Sequence, residues 1–128
     1  MTAPTRTRDP LHSALVGLTS LGVLLQAVWA GAFLRDGGRD PDWVTVHQWG
    51  AGVTLLLGVA AAGVAVARLQ HRSDLLVGTL LLAALLAVEY VLGLQASDGG
   101  AAATVVHVPL AMALMGIAVW LPLKARTG

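Results

Sequence analysis

The sequence predicts an all-α integral membrane protein: a four-helix up-down-up-down bundle, built from two helical hairpins, with both termini on the cytoplasmic side. Three observations carry this. Four apolar stretches, at 15–34, 44–67, 75–94 and 101–123, each run about 20 residues or slightly more, enough at 1.5 Å per residue to cross a hydrocarbon core of about 30 Å. Charged residues make up only 12% of the chain and hydrophobic ones 56%, with a mean hydropathy of +0.75. A soluble domain carries about a quarter charged residues, so too little polar surface remains here to coat a water-exposed globule. Finally, basic residues are divided unequally between alternate ends of the stretches.

The first stretch follows Arg6 and Arg8. It has a second reading as a signal peptide, with Ala30, Gly31 and Ala32 as a cleavage-like site. Its apolar run exceeds the usual h-region of about 7–15 residues, which favours a span. A turn-rich loop follows, from Arg35 through Asp36, Gly37, Gly38, Arg39, Asp40 and Pro41 to Asp42. The second and third stretches are joined by residues 69–74, the third and fourth by Ser97, Asp98, Gly99 and Gly100. Such short connections make neighbouring helices antiparallel. Without water, the backbone of each stretch must pair internally, hence helices. Arg6, Arg8, Arg68, Arg72, Lys124 and Arg126 then share one side, while Arg35 and Arg39 lie opposite among Asp36, Asp40, Asp42 and Asp98. The positive-inside rule puts the first side in the cytoplasm. Trp29, Trp43, Trp49 and Trp120 fall near helix ends, as an interfacial belt requires. Residues 1–128 read as one membrane domain, the expected location being a bacterial plasma membrane.

Some classes are excluded. A net charge of +1, with no basic run interleaved with aromatics, removes nucleic-acid binding. The absence of cysteine removes disulfides, thiolate metal sites and Cys nucleophiles.

The two halves resemble each other. His47, with Ala51 four residues on, opens the second stretch; His107, with Ala111, opens the fourth, 60 positions later. Gln26 and Glu89 lie 63 apart near the ends of the first and third, and Gly31 and Gly93 lie 62 apart. Two hairpins of the same orientation, related by a pseudo-two-fold axis along the membrane normal, would place these pairs at equal depth. Apolar helices also look alike by chance; the shared polar positions are what hydropathy does not force.

Four histidines divide into two kinds. His12 and His71 sit beside arginines at the cytoplasmic edge and read as solvated. His47 and His107 lie about a turn inside the opposite boundary, where strongly polar side chains face the bundle interior. The second and fourth helices are diagonal in such a bundle, roughly 11–14 Å apart if neighbours lie about 8–10 Å apart. Two imidazoles facing across that gap can ligate one iron. Small residues follow on the same faces: Gly50, Ala51 and Thr54 after His47, Ala111 after His107. They leave room for a flat macrocycle, and would equally permit close packing with nothing bound. Two histidines are thin for zinc. They suit haem b, whose iron takes two axial ligands while the porphyrin supplies four nitrogens. Glu89 is the one acid inside a span. It and Gln26 stand where each could hydrogen-bond an imidazole, a haem substituent or a proton path, or serve only as interhelical hydrogen-bonding groups.

These residues resemble one half of the haem A synthase family. The likeness rests on Glu89 followed by Leu92 and Gly93, then His107 with Ala111, and on His47 with Ala51, and it spans most of the chain. It implies a four-helix unit with His47 and His107 as axial haem ligands near the outer surface. The family's catalytic Glu, one turn before the histidine of the second helix, is replaced here by Val44, and its outer-loop Cys pair is absent. The resemblance therefore implies the haem-holding half and not a complete synthase.

The leading expectation is a bis-His haem b membrane protein for electron transfer or haem handling in cytochrome oxidase biogenesis. Its partners would be the bilayer and a quinone or another redox or oxidase-assembly protein; self-association stays open. Two other readings stand beside it: a cofactor-free structural or assembly subunit, and a small proton-coupled transporter using Glu89.

Overall fold

Asp9 followed by Pro10 and Asp40 followed by Pro41 start the first two helices in the same way. Proline suits the first helical position, whose N–H has no intrahelical partner, and the aspartate before it caps the free amides. In the computed structural model, which describes residues 9–35, 37 and 40–126, α1 runs Pro10–Leu34 and α2 Pro41–Arg68. The His12 N–H donates to Asp9 Oδ1 at 2.8 Å, and the Asp42 and Trp43 N–H groups donate to Asp40 Oδ1 at 3.1 and 3.3 Å. Then follow α3, Ser73–Ser97, and α4, Ala101–Arg126. Two crossed bonds close α3, from the Gly100 N–H to the Gln95 carbonyl at 3.0 Å and from the Gly99 N–H to the Ala96 carbonyl at 3.1 Å. This motif needs the left-handed φ of +87° that Gly99 adopts.

All four helices are long and apolar enough to cross a membrane. They outrun the predicted apolar spans because capped polar residues continue the helical hydrogen bonding past the hydrocarbon boundary. Pro109 lies inside α4.

Each helix packs on its sequence neighbours, and α1 closes the ring against α4. The directions alternate. At one end the start of α1 meets the end of α2 through Asp9 and Arg68, 3.4 Å apart. At the other, Gln48 early in α2 donates to Ser97 Oγ at the end of α3, at 3.3 Å. The chain is thus an all-α up-down-up-down membrane bundle. Of the residues that set its orientation in sequence, Arg6, Arg8, Asp36 and Arg39 lie outside the described residues.

Burial exposes the internal repeat more fully than the motifs do. In α1, His12, Val16, Thr19 and Val23 are buried; 63 positions on, Leu75, Thr79, Leu82 and Leu86 are buried in α3. In α2, Thr54, Gly58, Ala61 and Ala65 are buried; 60 positions on, so are Leu114, Ala118, Leu121 and Ala125 in α4. Each is a stripe of three- and four-residue steps, the spacing of one helix face. On this register Gly93 pairs with Ala30, not Gly31. Small residues bring the helices together: a Cβ on Gly58 would run into Leu86, and one on Gly22 into Thr54. The outer faces are apolar and bare, as lipid contact requires; Leu56, Val77 and Met112 are all more than 60% exposed.

His12 departs from expectation. It is not solvated but 2% exposed, with Nε2 2.9 Å from the hydroxyl of Thr79 on the diagonal helix α3. The Thr79 hydroxyl already donates to the Leu75 carbonyl at 2.6 Å, so His12 donates to Thr79. Its position on the Val16 stripe turns it inward, whereas His71, in the loop, is exposed.

The cap beneath it supports a prediction. The His12 N–H foremost, then the Arg68 side chain, holds the Asp9 carboxyl below the usual carboxylate range. A depressed carboxylate pKa stabilises the fold above its unfolded value, and that stability is lost as pH falls through the folded one. Asp9→Ala should cost about 1 kcal/mol at neutral pH. The gap between the thermal midpoints of variant and wild type in detergent should begin to narrow as pH falls below about 4, where an unfolded-state Asp becomes protonated, and close only below the lowered folded-state pKa of Asp9.

Candidate functional site

Beyond Val23, Thr54, Leu86 and Leu114 the bundle interior changes character. Farther along the same stripes, toward the loop that joins α1 to α2, stand Gln26, His47, Gly50, Ala51, Gly93, His107 and Ala111. All are half-buried, where the corresponding positions in the other half of the bundle are closed. This end is lined by small residues and polar groups instead of interlocked aliphatic side chains. The four predicted pocket residues divide. Gly50, Ala51 and Ala111 lie at this level, while Thr54 is one turn deeper, buried against Gly22, with its hydroxyl donating to the Gly50 carbonyl at 2.7 Å.

The repeat places both histidines alike. His47 is the seventh residue of α2 and His107 the seventh of α4, on diagonal helices. Each ring turns Nδ1 toward the preceding helix of its own hairpin. His47 Nδ1 lies 3.2 Å from the backbone carbonyl of Gln26. His107 Nδ1 lies 3.2 Å from Glu89 Oε1. Gln26 and Glu89 are each the seventeenth residue of their helices, so one register serves both hairpins.

The two surroundings then differ. In the orientation that satisfies both its ends, the Gln26 amide accepts from the Ala51 N–H at 2.9 Å and donates to the His47 carbonyl at 3.0 Å. Its nitrogen also lies 3.0 Å from His47 Nδ1. His47 therefore either donates from Nδ1 to the Gln26 carbonyl or accepts there from the amide, and its tautomer decides which. The edge of Phe33 packs on the His47 ring, centroids 5.4 Å apart. On the other side Glu89 is 9% exposed. Its Oε1 approaches His107 off the line of a hydrogen bond, and neither carboxyl oxygen nor His107 Nδ1 has a hydrogen-bond partner among the described residues.

Three contributors were not anticipated from sequence. Phe33 stands seven residues after Gln26, on the same face of α1, and that spacing was the available signal. Trp29 is half-buried and packs on Gly50 rather than serving only as a belt residue. The Gln26 backbone carbonyl carries no sequence signal at all, since every residue has one.

Among the described residues no group of three or more His, Cys, Asp or Glu side chains gathers to hold a metal ion. The polar side chains at this end include two imidazoles on diagonal helices, with a carboxyl beside one of them. The chain matches no protein-family model, no curated protein and no solved structure.

Proposed function

We propose that the chain is a membrane haem b protein in which His47 and His107 are the two axial ligands, serving electron transfer or haem handling in cytochrome oxidase biogenesis. The observation that carries this is the matched pair: one imidazole at the same depth on each of two diagonal helices, each with Nδ1 turned to an acceptor on the helix behind it. Engaging Nδ1 as donor leaves the Nε2 lone pair for a metal and fixes the ring's direction, as outer partners of ligating histidines do.

The residues present fit the group. Two imidazoles with no third ligating side chain suit an ion that arrives with its own equatorial nitrogens. Ala51, Gly93 and Ala111 leave the inward faces small at that level, while the face of Gly50 is covered by Trp29. Gly93 lies against the ring, since a Cβ there would sit at contact distance, 3.4 Å, from His107 Cε1. Bound haem would supply a one-electron couple. The chain would hold it six-coordinate and closed to substrate, while the apolar exterior keeps it in the bilayer. With Val44 where a catalytic acid would stand, the chain's own residues support holding haem and not oxidising it.

Arg68, Arg72, Lys124 and Arg126 at the opposite end favour termini in the cytoplasm and the histidines near the outer face. A quinone or a redox or oxidase-assembly protein would meet the site there.

The test is a reduced-minus-oxidised visible spectrum of the protein, purified in mild detergent from haem-supplemented cells. We expect a sharp b-type α band with haem near one per chain. A folded, helical protein without that band would overturn the reading and leave a cofactor-free subunit or a Glu89-dependent transporter, separated by whether Glu89→Gln abolishes proton-coupled uptake.

A further inference from the structure

Glu89 is the most conspicuous buried group the bundle does not need. The repeat provides its own control: the same position of the first hairpin carries an amide, Gln26, in a helix of equal length. Packing therefore does not demand an acid. A carboxyl inside a membrane bundle is costly and marks function more often than structure. Among the described residues both of its oxygens are buried without a hydrogen bond, a costly arrangement for a polar group. His107 Nδ1, 3.2 Å from Oε1, likewise has no well-aligned hydrogen bond among the described residues. A small rotation of the carboxyl would satisfy both. Both rings have the backbone carbonyl of the preceding helix nearby, Gln26 for His47 and Glu89 for His107, an acceptor of fixed and weaker strength; the carboxyl is what His107 has and His47 lacks.

We infer that Glu89 is a positioning residue for His107 which makes the two axial ligands unequal, its carboxyl accepting the Nδ1–H of His107, strengthening that imidazole as a donor and lowering the reduction potential of the site. The inference rests on the haem reading above. Its physical basis is that an acceptor behind a ligating imidazole raises the basicity of the ligating nitrogen. A stronger donor favours the more positive, oxidised iron, so the potential falls. The backbone carbonyl behind His47 does this less, and the Phe33 edge beside that ring donates no hydrogen bond to it.

The test is redox titration with low-temperature electron paramagnetic resonance on haem-loaded wild type, Glu89→Gln and Glu89→Asp. In Glu89→Gln the low-spin signal should persist, its g values should shift, and the midpoint potential should rise. A tenfold relative weakening of ferric over ferrous ligation corresponds to about 59 mV for one electron. Glu89→Asp keeps a carboxyl and should recover part of the shift. A role confined to packing would move neither the potential nor the g values. In the haem-free protein, ring ¹⁵N shifts should report His107 as the Nδ1–H tautomer. An unchanged potential in Glu89→Gln, or an Nε2–H tautomer of His107, would overturn the inference. If Glu89→Gln stays folded but loses haem, Glu89→Asp decides: retained haem with a part-way rise supports the inference, and loss of haem there also overturns it. A wild-type protein without a b-type band defeats the haem reading itself, so the two failures are distinguishable.

Discussion

Replacing either His47 or His107 by alanine should abolish the whole six-coordinate low-spin haem signal, and each substitution alone should suffice. An axial pair is not a sum of two half-sites, because low-spin iron requires both strong-field nitrogens. Removing one leaves at most a five-coordinate, high-spin haem, read as loss of the sharp α band. The two variants should differ in degree. His107→Ala also removes the ring nitrogen 3.2 Å from the buried Glu89 carboxyl, so it should lower thermal stability more than His47→Ala, where the Gln26 carbonyl keeps its helical partner within α1. His71→Ala is the control, being exposed in the loop between α2 and α3; it should leave the spectrum unchanged. Survival of the low-spin signal in both site variants would show that the ligands lie elsewhere.

Gly50→Ala should destabilise the bundle by about 1–3 kcal/mol, although it adds a single methyl group and alanine is the better helix former. The new carbon would overlap Trp29 Cζ3 and lie 2.7 Å from the end of the Gln26 amide. Trp29 is a rigid ring wedged between α1 and α2, so it cannot yield as a flexible chain end would. Either α1 shifts away from α2 or Trp29 changes rotamer. Both moves disturb the stretch of α1 that holds His47, so haem affinity should fall together with the thermal midpoint. Gly63→Ala is the matched control: it sits in the same helix with nothing within 4 Å of the added carbon. That variant should be neutral or slightly stabilising. Equal midpoints for the two alanine variants in detergent would refute the close-approach argument.

Much of the bundle was readable along the chain because its causes are local or periodic. Asp9 with Pro10 and Asp40 with Pro41 mark helix starts whatever the helices later touch. Gly99 and Gly100 mark the end of α3 because the closing turn needs a left-handed residue. The depth of His47 and His107 was readable too, since position along a span of known rise is itself depth.

His12 shows where such reading stops. Arginines nearby made it look like an edge residue, but its place on the Val16 and Thr19 stripe turns it into the core, where Thr79 of a helix 67 residues away receives it. Facing direction depends on which side of α1 meets its neighbours, and a helix with apolar residues on every side does not declare that side in its own sequence. Lipid is as apolar as the core, so hydrophobicity cannot distinguish the two faces.

What the sequence by itself determined was the number of helices, their antiparallel order, the paired histidines and the sixty-residue kinship between their helices. These follow from composition, turn chemistry and repetition, each of which acts within a short stretch of chain. Only the tertiary structure decided that Gln26 offers His47 a backbone carbonyl while Glu89 sets a carboxyl beside His107, and that Trp29 closes on Gly50. Those contacts depend on the rotation of one helix against the next to within a fraction of a turn. That rotation is set by the small residues at the helix contacts together, and no single segment encodes it.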